Sequence, residues 1–88
     1  MDIVMKPVEM IAWFSKDGTP NPIRYRFEER GDNLVVKVDR VISIDEENLA
    51  GNRMYVYRCK SHLNNRLRVY ELKYEITSCR WFLSRINT

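Results

Sequence analysis

Cys59-Lys60-Ser61-His62 sets a thiol and an imidazole close together in the chain, and Cys79 adds a second thiol. Zinc ligands occur at such a spacing, and Cys79 approaching across a sheet would supply a third donor. A structural zinc site takes four ligands and no convincing fourth is present, so no metal or other cofactor is expected. The cysteines read instead as small buried hydrophobes. His62 is the only histidine. As a catalytic base it would have to serve Cys59, Cys79 or one of Ser15, Ser43, Ser61, Ser78 and Ser84, and no nucleophile elbow, oxyanion loop or local triad signature accompanies any of them. It reads as a turn residue facing water. The carboxylates Asp45-Glu46-Glu47 are explained by dipole and solubility effects at a connector, and Glu71 and Glu75 by sharing a strand face with Lys73. With no Gly-rich phosphate loop either, the chain is not expected to be an enzyme and no catalytic residue is assigned.

A second constellation is basic and aromatic: Arg53, Arg58, Arg66, Arg68, Arg80 and Arg85 with Tyr55, Tyr57, Tyr70, Tyr74 and Trp81. Single-stranded nucleic acid is held by such sets, because arginine neutralises phosphate while aromatic faces stack on bases. Charge is segregated to match: residues 1–52 carry seven Lys+Arg against ten Asp+Glu, residues 53–88 eight against two. Against this, aromatics are abundant in strands because they pack well. A net charge of +3 is a faint footprint, and no RNP, cold-shock or KH signature accompanies it. The leading expectation is therefore a binding module that works through a protein partner or self-association, with Trp13 and Trp81 as candidate anchors. Single-stranded nucleic acid is the alternative.

The elements that must position these residues are strands. Alternation marks Val8–Phe14, then Ile23–Glu28, then Leu34–Val38 running on to Ile44, then Arg53–Lys60, then Leu67–Ile76, and last Cys79–Ile86. Gly31 in a short polar connection signals a hairpin, and Asn64-Asn65 a further turn. Arg40 falls on the apolar face of its run, so a bulge near Asp39-Arg40 is expected to bend the strand. Asp45–Gly51, with a capping aspartate, acidic first turn and terminal glycine, reads as one helical turn or a loop. The apolar phase switches between Val69 and Tyr70, which implies a second bend. Six strands with short connections favour an antiparallel meander, a closed or partly open barrel, as one domain over 1–88.

At 88 residues one core is expected, supplemented by association where it is thin. The N-terminus lacks the charged and apolar regions of a secretory signal, no run is long enough to span a bilayer, and two cysteines do not make a disulfide framework. The cytoplasm is the expected location. Trp13-Phe14 before Asp17-Gly18, then Pro22–Arg26, then Tyr70–Glu75 followed by Trp81, resembles small all-β proteins of bacteria that have no assigned activity. The resemblance implies a fold and no site.

Overall fold

The computed structural model describes the backbone of residues 2–87 and the side chains of residues 5–84. It contains seven strands: β1 (Asp2–Phe14), β2 (Pro20–Glu29), β3 (Asp32–Lys37), β4 (Arg40–Leu49), β5 (Asn52–Leu63), β6 (Arg66–Glu75) and β7 (Arg80–Asn87). Their order across the sheet is β3-β2-β1-β7-β6-β5-β4, with antiparallel neighbours throughout. The antiparallel meander expected from the alternation is present, in its open form. First and last strands join, and the ring is interrupted between β3 and β4.

Three local expectations are corrected. The run 34–44 is two strands rather than one bent strand, which makes the count seven instead of six. Val38 N–H donates to the Ile23 carbonyl at 2.8 Å, and the next amide, Asp39 N–H, donates to the Lys60 carbonyl at 3.1 Å. The chain thus leaves β2 and joins β5 within two residues, at the Asp39-Arg40 position where Arg40 interrupts the apolar face; the interruption marks an irregularity and does not reveal the change of neighbour. Residues 45–51 form no helical turn. Leu49 pairs with Asn52, and Ala50 and Gly51 between them have φ of 53° and 85°. A left-handed glycine ends a helix and also closes a type I′ hairpin, so Gly51 fits both patterns. The same two-residue geometry closes β2–β3 at Arg30-Gly31 and β5–β6 at Asn64-Asn65. Finally, no bend occurs at Val69/Tyr70: the β5–β6 ladder runs unbroken from Met54↔Glu75 to Leu63↔Arg66. Tyr70, Leu72 and Tyr74 point inward, whereas Leu67 is exposed beside the hairpin and Val69 half-buried on the other face. The bulge lies on β7, where Ser84 is the extra residue between Arg85↔Glu71 and Leu83↔Leu72.

Bulges at Ile23 on β2 and Ile42 on β4, and a register shift between Ile3 and Lys6 on β1, coil the sheet further. Coiling brings the β2–β3 leaf over β5 and β6, around a core of Tyr25, Val36, Tyr57, Cys59, Tyr70, Leu72, Trp81 and Leu83. A core this rich in tyrosine has to satisfy its hydroxyls. Tyr57 Oη donates to the Pro20 carbonyl at 2.5 Å, and Ser61 Oγ to the Lys37 carbonyl at 2.6 Å. Ser61 has spent its one proton there, so at 2.6 Å it accepts from Tyr70 Oη. These bonds fasten one leaf to the other where no ladder does.

Candidate interaction surface

The arginine and aromatic residues singled out from the sequence do not form one surface: Arg58 and Arg80 lie on the face opposite the buried aromatics, whereas Arg53, Arg66 and Arg68 share the tyrosines' face at the ends of β5 and β6. On β5 Tyr57 is fully buried while Arg58 is exposed, and on β7 Trp81 is buried while Arg80 is exposed. Tyr70 and Tyr74 are buried too, and Tyr55 is half-buried, stacked on Tyr74 at 6.4 Å between centroids. Among the arginines, Arg53 is bound to Glu46, with Nε donating to Oε1 at 2.6 Å, Arg66 is exposed at a hairpin, and Arg68 is half-buried opposite Ser61. Arg85 pairs with Glu71 in the ladder, and its side chain lies outside the described residues. Strand alternation separates adjacent residues such as Tyr57-Arg58, which cannot share a face. Tyr74, Arg80 and Trp81 meet at one corner.

The thiols and the imidazole do not converge. Cys59 is buried, and burial pushes its thiol up to about 12. His62 points outward, its backbone N–H and its Nδ1 both within 2.9 Å of one Asp39 oxygen. These bonds hold the Asp39 carboxyl below the usual aspartate range and pin the β3–β4 corner to β5. Cys79, with φ of 59°, sits exposed in the β6–β7 turn. Among the described residues no three His, Cys, Asp or Glu side chains gather as metal ligands, and no helix is long and apolar enough to cross a membrane.

β1 joins an unpaired edge to exposed apolar side chains. Its partner changes midway: the ladder with β7 ends at Val8↔Trp81, and the ladder with β2 begins at Glu9↔Arg26 and continues to Phe14↔Pro20. Glu9–Phe14 therefore has a strand on one side only. Ser15 N–H, just beyond, donates to the Thr19 carbonyl on the β2 side. Since successive residues turn their N–H and C=O to alternate sides, Met10, Ala12 and Phe14 direct theirs to the unpaired side. There, between β1 and the β6–β7 turn, lies a cleft of about 640 Å³ whose walls include Met10, Ala12, Phe14, Tyr74, Cys79, Arg80 and Trp81. Phe14 and Tyr74 meet edge to face at 6.5 Å, and Tyr74 and Trp81 lie 4.9 Å apart. Hydrogen bonding to Cys79 and burial together push the Tyr74 phenol up to about 12. On the outer face of the same strand Ile11 and Trp13 are 53% and 55% exposed, next to a shallow groove of about 500 Å³ bordered by Arg24, Val35 and the Arg26–Glu9 ion pair at 2.8 Å.

Trp13 was accessible to sequence reasoning as a candidate anchor, whereas Met10, Ala12 and Phe14 were not. Their significance comes from β1 outrunning β7, a relation between strands far apart in the chain that no local pattern records. Comparison with protein-family models, curated proteins and solved structures found no match, so function is argued from geometry.

Proposed function

We propose that this chain is a non-enzymatic binding module that acts through a protein partner or a second copy of itself, with β1 as the contact strand. The observation that carries the reading is the exposure of Ile11 and Trp13 on a strand whose second half is paired on one side only. Large exposed apolar side chains beside an unpaired strand edge are the two ingredients of protein recognition by sheets, and here one element holds both. Enzyme chemistry finds less support. Cys59 is buried and held protonated, and His62 is committed to Asp39. A nucleic-acid surface would need aromatic faces beside its arginines, and Tyr57, Tyr70, Tyr74 and Trp81 are inside.

A photo-crosslinking side chain placed at Ile11, with one at Arg58 on the far outer face as control, tests the reading in cells that make the protein. A discrete adduct from Ile11 alone, with another protein or with this chain, is the expected result. Absence of any adduct specific to Ile11, together with salt-sensitive micromolar binding of single-stranded RNA in solution, would replace it with the nucleic-acid alternative.

A further inference from the structure

Resting on that reading, we propose that the cleft beside Glu9–Phe14 takes an extended segment of a partner protein, added to β1 as a strand, with a bulky apolar side chain and an adjacent carboxylate. Unpaired strand edges are hazards that proteins blunt with charge, proline or shortness. The two edge strands are blunted, and so is the first half of β1. β4 carries Asp45, Glu46 and Glu47, and β3 carries Asp32 and Lys37, the Lys37 carbonyl already accepting from Ser61 Oγ. The unpaired side of β1's first half holds Pro7, which has no N–H to offer, and Lys6 Nζ lies 5.2 Å from the Phe27 ring centre there. Met10, Ala12 and Phe14 bring neither charge nor proline to their edge, and a cleft runs alongside it.

The occupant's chemistry follows from the walls. The edge spans six residues, about 20 Å of extended chain at ordinary strand rise. A strand laid on it would alternate between the interior, where Phe14, Tyr74 and Trp81 offer an aromatic floor, and the outer face, where Arg80 stands. Hence an apolar residue next to an acidic one. Glu75, opposite Arg80 in the ladder, accepts from Asn52 Nδ2 at 2.9 Å and from Ser78 Oγ and feels the Arg80 charge without a hydrogen bond to it, so the guanidinium N–H groups are open to a carboxylate from a ligand. The β6–β7 turn faces the edge across the cleft, so an incoming strand must enter between two walls, which a single extended segment does more readily than the edge of a second folded sheet. A partner segment is thus favoured over another copy of this chain.

The probe is a displayed library of linear seven-residue peptides, panned on the full chain. Enriched peptides are expected to share an aromatic or large aliphatic residue next to Asp or Glu. Arg80→Ala should cost their affinity about tenfold, as should N-methylation of the peptide amides that face β1, in keeping with one or two lost hydrogen bonds. Ala12→Pro should fold, because a proline is tolerated where the N–H meets solvent, and should lose binding. Should that variant not fold, alkylating Cys79 on the cleft wall of the unaltered chain is the substitute, again with loss of binding. No enriched peptide, peptides indifferent to N-methylation and Cys79 alkylation, or a dimer of the chain alone that Cys79 alkylation dissolves, would each overturn this proposal. An Ile11-specific crosslink would survive those failures, so the two readings fail separately.

Discussion

Val8 and Trp81 are the last pair in the ladder between β1 and β7, and beyond them a strand of 13 residues outruns one of 8. Trp81 turns its ring inward onto Tyr57 at 5.2 Å and Tyr74 at 4.9 Å, so the site where the ladder stops is also where the aromatic core comes nearest to the surface. An edge and an apolar cleft result from the same mismatch in strand length.

Ala50 holds a left-handed backbone that alanine disfavours by about 1 kcal/mol and asparagine does not. Ala50→Asn is expected to stabilise the fold by about that amount, raising the unfolding midpoint by roughly 4–8 °C for a domain of this size. Gly51→Ala, at φ of 85°, should lower it. Thermal unfolding followed by circular dichroism measures both. Indifference to both substitutions would contradict the hairpin reading of 45–51.

Tyr57→Phe leaves the buried Pro20 carbonyl without its donor, and Ser61→Ala takes a partner from both the Lys37 carbonyl and Tyr70 Oη. Each should cost about 1–3 kcal/mol in urea unfolding, the range for a buried polar group deprived of its partner. Ser61→Ala breaks two bonds at once, while Tyr70 keeps its hydrogen bond with Tyr25 and the carbonyl of the exposed Lys37 can turn to water, so its cost is expected to be no greater than that of Tyr57→Phe.

Burial raises the Cys59 thiol and the Tyr70 phenol to about 12. In the unfolded chain these groups ionise at their ordinary values of 9.0 and 10.0, so the unfolded state loses protons first as pH rises. Their contribution to stability is complete below pH 9.0 and disappears as pH climbs toward 12. A urea midpoint that drops through this interval is the expected result. In native protein at neutral pH, a thiol reagent should modify Cys79 quickly and reach Cys59 only after unfolding.

How much was legible in the sequence divides along a physical line. Alternation in Ile23–Glu28 and Arg53–Lys60 reports which face of a strand meets water, and the all-β meander followed from it. It does not report which strand lies alongside. Arg40 interrupts the apolar pattern where Val38 and Asp39 change neighbours, without saying which strand comes next, and Gly51 supplies a backbone conformation common to two kinds of turn. For the candidate site, the arginines and tyrosines were visible as types, yet adjacent residues such as Tyr57 and Arg58 had to diverge once they lay in a strand. Trp13 was visible as an anchor. The unpaired edge was not, because it depends on where β7 begins relative to β1.

Backbone amide hydrogen exchange resolved by NMR tests the unpaired edge most directly. In the protein alone the N–H groups of Met10, Ala12 and Phe14 are expected to exchange fast, while those of Ile11 and Trp13, turned toward β2, stay protected; a bound peptide should then slow the first three. Equal protection along Glu9–Phe14 in the absence of peptide would mean that this half of β1 is already paired on both sides, and would contradict the account.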